Sequence, residues 1–367
     1  MKDLHGGDIW SKAKRAGLSP TEIIDFSASI NPLGLSASAR LAIENGTGLL
    51  SAYPEPYAAE LTAELARYHK IPVLNILAAN GSNELIYLIA QLLRPEKALI
   101  VEPAFSEYRR ALEGVGCVVD GFMLEPSDDL RFNGEKFKEK IREGGYDICV
   151  VTNPTSHAGG LIAKSSMLEV IEECRGCGTL LVIDEAFCDF TESGSVKAEV
   201  AGRDGVIVLR SMTKFFAMAG LRLGYAISSE DIIERLASLR PTWSVNLLAT
   251  LAGIASLKDT SYVEATRSWL KTERPFMEGL LRDTCGVRIF PGDANFFLCS
   301  LDASSTSVEA LGSMLLSRGV LIRDMTEVRG LGSGYFRVAL KSRADNELLA
   351  ALLREFRGQA SVRSSVV

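Results

Sequence analysis

No stretch of this sequence approaches the ~20 uninterrupted apolar residues that a membrane-spanning helix needs, and runs such as 148–151 and 180–183 have the length of buried strands. The opening MKDLHGGDIWSKAKRAG lacks the apolar centre of a secretory signal, so the chain is read as cytoplasmic. Regular cysteine pairing is missing too. The seven cysteines are odd in number and scattered, which suits reduced, mostly buried thiols. Cys174 and Cys177 form one C-x-x-C without the second pair that zinc would require, and no metal site is expected. There is no excess of basic residues: 40 Lys and Arg stand against 46 Asp and Glu, a net charge of −6. Such a chain is a poor general binder of DNA or RNA, and no basic helix-turn-helix region stands out. No G-x-G-x-x-G follows a strand, which argues against a nicotinamide-binding protein. Repeats and low-complexity tracts are absent, apart from a Ser/Val-rich tail after Gly358.

What remains is an ordinary globular composition, 47% hydrophobic and 23% charged over 367 residues, enough for two or three domains and a full core. The middle of the chain alternates short apolar runs with longer amphipathic segments. Strands are expected at 98–101, 148–152, 180–184, 206–210 and 223–227, with helices at 107–115 and 165–175. Near-continuous apolar strands alternating with helices predict an α/β fold with a mostly parallel sheet covered on both faces. The last ~110 residues read as a smaller α+β domain, with strands near 287–290, 295–299, 320–322 and 335–340 and a helix over 307–317. Three parts are expected: 1–40 as an arm that joins the smaller domain, 41–258 as the large domain and 259–367 as the small one.

In such a sheet, ligands sit at the carboxyl ends of the strands. Glu102, Phe105, Asn153, Asp184, Ser211, Thr213 and Lys214 follow strands directly and converge there. Lys214, in SMTKFFAMAGLRLGY, reads either as a solvated side chain or as an amine partly desolvated by Phe215 and Phe216. Desolvation lowers a lysine pKa and frees the amine for bonding to a carbonyl carbon. Ser211 and Arg222 supply a hydroxyl and a fork of donors suited to a phosphate dianion. Asp184 ends a buried strand, where a carboxylate needs a cation such as a protonated pyridine nitrogen, unless it simply caps the next turn. Ser82 and Asn83 open a helical run, and read either as a phosphate cradle or as ordinary capping. Phe105 reads as a ring stacked on a cofactor or as core.

Taken in order along the chain, Ser82-Asn83, Phe105, the loop 153–160, Asp184-Ala186-Phe187, Ser211-Thr213-Lys214-Arg222 and Arg337 in YFRVAL resemble the fold-type I pyridoxal-phosphate enzymes of the class I/II aminotransferase superfamily. Within it, the chain is similar to the histidinol-phosphate aminotransferase branch. HGGDIW, DFSASINPLG, DEAFCDF and PTWSVNLLA resemble the threonine-phosphate decarboxylases of cobalamin biosynthesis. The resemblance implies pyridoxal 5′-phosphate as cofactor, with Lys214 as the lysine that carries it and Asp184 on its ring nitrogen. Ser82, Asn83, Ser211, Thr213 and Arg222 would surround its phosphate, and Phe105 would stack on its ring. It implies a small phosphorylated amino acid as substrate, with its α-carboxylate on Arg337 near the Ile30–Asn31 peptide and its phosphate on His5, Arg323 and Asn31 or Ser29. It implies a homodimer in which Tyr53, in AYPEPY, reaches the partner subunit's cofactor phosphate. The expected reaction is decarboxylation of L-threonine O-3-phosphate, with transamination of the histidinol-phosphate type as the alternative.

Two positions depart from the family pattern. Its loop reads N-P-N-N-P-T-G, whereas here Ser156 replaces the second asparagine of the pair and His157 the proline. Phe187 stands where histidinol-phosphate aminotransferases carry tyrosine, and it has no hydroxyl to donate. Ser156 is left as the shorter donor to the cofactor's 3′ oxygen, and His157 is either an exposed loop residue or a further group in the site.

Overall fold

The computed structural model describes residues 6–284, 286–302 and 307–364. Its strands, in chain order, are β1 (Ile24–Asp25), β2 (Ile76–Ala79), β3 (Lys97–Glu102), β4 (Val118–Met123), β5 (Ile148–Thr152), β6 (Leu180–Asp184), β7 (Val206–Ser211), β8 (Gly224–Ile227), β9 (Val287–Ile289), β10 (Phe296–Leu301), β11 (Val320–Leu321), β12 (Arg323–Asp324) and β13 (Tyr335–Ala339). Seven of them form the main sheet in the order β2-β8-β7-β6-β5-β3-β4, parallel except for β8, which runs antiparallel to both neighbours. Period-two alternation inside apolar strands covers both faces. Leu99, Val101, Cys149, Val151, Leu181, Ile183, Val206 and Val208 join one core, while Ala98, Ile100, Ile148, Val150, Val182, Ile207 and Leu209 join the other.

β9, β10, β12 and β13 form a second, antiparallel sheet in the order β12-β13-β10-β9. The amino-terminal segment is woven into this part of the fold. β1 lies parallel to β11, with Ile24 opposite Val320, and the Phe26 carbonyl accepts from the Ala339 N–H at 2.8 Å. The segment then runs to the end of the main sheet, where the Asn31 N–H donates to the Lys214 carbonyl at 3.0 Å. One stretch of chain thus ties the small sheet to the turn that presents Lys214. No helix among the described residues is long and apolar enough to cross a membrane.

Candidate active site

The carboxyl ends of β3, β5, β6 and β7 stand side by side, with Thr152 registered on Asp184 and Asp184 on Leu209. Just past β7, Lys214 sits in the one-turn helix Met212–Phe215, whose N-cap is Ser211. The rings of Phe215 and Phe216 are buried behind it, and Lys214 itself is half-buried. Burial first, then the nearby charges of Arg337, Arg222 and Arg323, lower the Lys214 amine from its usual range to about 8, against an opposing pull from Asp184. An amine so placed is a nucleophile near neutral pH.

Asp184 is buried, and burial raises its carboxyl. Its Oδ1 accepts from the Ala186 N–H at 2.9 Å, so it does shape the following turn. The buried Tyr108 hydroxyl lies beside the carboxyl and stabilises its charged form, without a hydrogen bond of regular geometry. Only spacing could have pointed to Tyr108: it lies three residues after Phe105, the N-cap of the helix Ser106–Gly114, and the two rings meet edge to face at 6.4 Å.

The helix Gly81–Leu93 opens with Gly81, Ser82 and Asn83; its N-cap residue Asn80 makes no side-chain capping bond, and the Glu84 carboxylate accepts from the Asn80 N–H at 2.7 Å. The N–H groups of its first turn stand at the positive end of the helix, where an anion is favoured. The Arg222 guanidinium lies over this turn, so close that a Cβ on Gly81 would come within 2.9 Å of Nη2. Gly224 opposes Ser211 in the sheet and lets β8 approach until a Cβ there would meet the Ser82 nitrogen at 2.3 Å. Ser82, Ser211 and Arg222 are thereby brought together, and the Thr213 hydroxyl pairs with that of Ser211 at 2.7 Å. The Asn83 Oδ1 is buried without a partner among the described residues. A helix start with an arginine over it, a low-pKa amine and a buried carboxylate fit pyridoxal phosphate, whose phosphate would meet the helix, carbonyl carbon Lys214 and ring nitrogen Asp184.

Across from this cluster, Arg323 on β12 is registered directly against Arg337 on β13. Like charges so placed repel. Burial and the charge of Arg323 lower Arg337 well below the usual arginine range, with Asp25 opposing. Arg337 Nη1 donates to the Ser156 carbonyl at 3.1 Å, and its plane lies over the Phe296 ring at 4.6 Å. Phe187 packs edge to face on that same ring at 5.1 Å, so it buttresses the arginine. Ser156 is held by its N–H to the Thr152 hydroxyl at 2.8 Å. His157 is buried rather than exposed, with Nε2 3.0 Å from the Ala104 carbonyl. Phe105, His157 and Arg323 line a cavity of about 110 Å³ together with Glu102 and Arg109.

Other expected residues stand elsewhere. The Asn31 side chain faces into the fold, where Nδ2 donates to the Phe215 carbonyl, the Tyr262 hydroxyl and the Thr266 hydroxyl, each at 2.9 Å. It braces the Lys214 turn from one side, as the Asn31 N–H does through the Lys214 carbonyl, so neither the side chain nor the N–H of Asn31 is presented to a ligand. Ser29 Oγ is buried without a partner among the described residues. His5 lies outside the described residues; the adjoining Gly6 packs against the Ser27 carbonyl and the Arg323 side chain, and the Gly7 N–H donates to Ser27 Oγ at 2.8 Å. Tyr53 is 81% exposed, with its ring 4.8 Å from that of Trp243.

Comparison with known proteins places this geometry. A family model for aminotransferase class I and II matches residues 21–356. The chain is 37% identical to threonine-phosphate decarboxylase from Salmonella typhimurium, over 96% of each chain. Its fold is similar to the crystal structure of histidinol-phosphate aminotransferase from Clostridium acetobutylicum, with TM-score 0.84, 31% identity and 91% and 99% of the two chains covered. It is also similar to that of L-threonine-O-3-phosphate decarboxylase from Porphyromonas gingivalis, with TM-score 0.79, 26% identity and the same coverage. The chain therefore belongs to the class I and II aminotransferase family, whose enzymes work with pyridoxal phosphate.

Proposed function

We propose that this enzyme is a lyase that removes the carboxylate of L-threonine O-3-phosphate, giving (R)-1-aminopropan-2-ol O-phosphate and carbon dioxide for cobalamin biosynthesis. The observation that carries this reading is the cross-strand pair Arg323–Arg337 facing the Lys214 cluster. Two adjacent guanidinium groups call for two anions on one ligand, a carboxylate and a phosphate. The 37% identity to a threonine-phosphate decarboxylase along nearly the whole chain supports it.

Pyridoxal phosphate, when bound, supplies an electron sink for the pair left on the substrate's α carbon once a bond there breaks. Asp184, whose charged form the Ala186 N–H, Tyr108 and Lys214 favour against its burial, would hold the proton on the ring nitrogen. Ser82, Asn83, Ser211 and Arg222 hold the phosphate at the helix end, with Thr213 orienting the Ser211 hydroxyl, and Phe105 covers the ring. Arg337 holds the substrate α-carboxylate beside the Ile30–Asn31 peptide, and Arg323 holds the phosphate with the segment from His5 to Ser27. After carbon dioxide departs, Lys214 Nζ delivers the proton that the α carbon requires. Ser156 takes the place of the family asparagine toward the 3′ oxygen.

This reading makes the protein a cytoplasmic homodimer. Tyr53, Tyr57, Leu49, Leu50 and Trp243 form an exposed apolar group of the kind a second subunit covers, which would bring Tyr53 to the partner's cofactor phosphate. The alternative, a histidinol-phosphate aminotransferase, is favoured by the likeness to the Clostridium acetobutylicum structure. A histidinol-type ligand brings a phosphate and no carboxylate, and leaves one arginine of the pair uncompensated in that half of the reaction. The deciding experiment is carbon dioxide release from L-threonine O-3-phosphate by the pyridoxal-phosphate-loaded enzyme without any 2-oxo acid. Sustained release is expected. A requirement for 2-oxoglutarate, with histidinol phosphate as the substrate turned over, would overturn the reading.

A further inference from the structure

Two of the groups beside His157 bear on which of its ring nitrogens carries the proton. Its Nε2 is 3.0 Å from the Ala104 carbonyl, which only accepts, and its Nδ1 is a long 3.5 Å from Arg337 Nη1, which only donates. These partners assign the proton to Nε2 and the lone pair to Nδ1, a neutral ring that receives the guanidinium. Arg337 Nη1 is engaged twice, by His157 and by the Ser156 carbonyl. Arg337 Nε is buried without a partner among the described residues, and the guanidinium plane is fixed on the Phe296 ring. The edge formed by Nε and Nη2 is thus the one presented for a planar two-point contact.

We propose that His157 is a positioning residue: by holding Arg337 through Nη1, it turns the Nε–Nη2 edge toward the α-carboxylate of the substrate, so that this loop residue selects ligands that carry a carboxylate. The proposal rests on the reading of the site as one for a phosphorylated amino acid. Nothing in it requires His157 to touch the reacting atoms.

Two variants separate the ring's two contacts. Asparagine places an acceptor where Nδ1 stands and is too short to reach the Ala104 carbonyl. Glutamine reaches toward that carbonyl and offers no acceptor at the Nδ1 position. Binding is read on the pyridoxal-phosphate-loaded enzyme from the shift of its visible absorption, with L-threonine O-3-phosphate and with (R)-1-aminopropan-2-ol O-phosphate, which lacks the carboxylate. His157→Gln should weaken threonine phosphate about tenfold, with KM rising more than kcat falls. The same variant should change the amine by less than about twofold, and His157→Asn should stay within about threefold of wild type for both ligands. Equal behaviour of the two variants, or equal weakening of both ligands, overturns the positioning role while the decarboxylase reading stands. A wild-type enzyme that binds histidinol phosphate and not threonine phosphate overturns that reading and the proposal with it.

Discussion

Lys214 shows what burial beside three arginines does to a single amine. Held near 8 rather than in the usual lysine range, it is protonated below that pH and neutral above it. Attachment of the cofactor carbonyl needs the neutral amine. The rate at which apoenzyme takes up pyridoxal phosphate, followed by visible absorbance, should therefore rise about tenfold per pH unit toward pH 8 and level off above it. A rise that continued toward pH 10 would contradict a desolvated lysine. Arg337→Met removes the largest of the neighbouring charges and should move the midpoint upward. Lys214→Ala should lower turnover by at least about a thousandfold while the fold stays intact by circular dichroism. The grouping of Ser211, Thr213, Lys214 and Arg222 was legible in the sequence because all four lie within one short motif. Tyr108, Arg210 and the burial of His157 were not, since each acquires its meaning from a residue far away in sequence.

At the scale of elements, the strands at 148–152, 180–184 and 206–211 were readable because both faces are buried and every position is apolar until the polar end. β4, an edge strand reading VVDGFM, carries an Asp, a Gly and an exposed Val118, and β2 has four residues; neither announces itself by period. The antiparallel direction of β8 also escaped, because the apolar pattern of a buried strand does not record its direction. Gly224→Ala would press a methyl into the Ser82 nitrogen, the Gly81 carbon and the Arg210 carbonyl, all backbone atoms that cannot swing aside. It should cost about 2 kcal/mol of stability and lower cofactor affinity by about tenfold, read by thermal melting with and without pyridoxal phosphate. Unchanged affinity would mean that the helix end does not hold the phosphate. Behind the site, Arg210 is fully buried between Glu185 at 3.1 Å, Asp189 at 3.3 Å and Glu192 at 3.0 Å, and so clamps β6 to β7 next to Asp184 and Ser211. Arg210→Met leaves Glu185 and Asp189 without their cation and should destabilise by about 3–5 kcal/mol at neutral pH. Burial already raises Asp189 to about 6, and the variant's carboxyl would titrate higher still, so the melting deficit should shrink as pH falls toward 6, where the variant takes up a proton that the wild type does not yet hold. A deficit that grows on acidification would show that the cluster is not electrostatic.

One amino-terminal segment ties the small four-stranded sheet to the main sheet, so that Arg323 and Arg337 on β12 and β13 come from one part and Lys214 from the other. Composition and alternation made the two parts readable, but the path of residues 24–31 between them depends on the β1–β11 pairing and the Asn31–Lys214 contact, which join positions about 300 and 180 residues apart and leave no local signature. The same scale holds the question of the partner subunit. If Tyr53 serves the cofactor phosphate across a dimer, two damaged chains should repair each other. A Lys214→Ala subunit keeps Tyr53, and a Tyr53→Ala subunit keeps Lys214. In their heterodimer, the site on the Tyr53→Ala chain has both groups intact. Subunits that mix at random in equal amounts make half of the dimers mixed, each with one such site, so about a quarter of wild-type activity should return. The parents alone should show far less than this: Lys214→Ala lacks the amine, and Tyr53→Ala loses a hydroxyl on the phosphate, which weakens cofactor binding about tenfold. The assay is therefore run at pyridoxal phosphate below the variant's dissociation constant, with dimer formation checked by sedimentation. Activity that stays at the average of the two parents after subunit exchange would place Tyr53 outside the site and leave its pairing with Trp243 a matter of the surface alone.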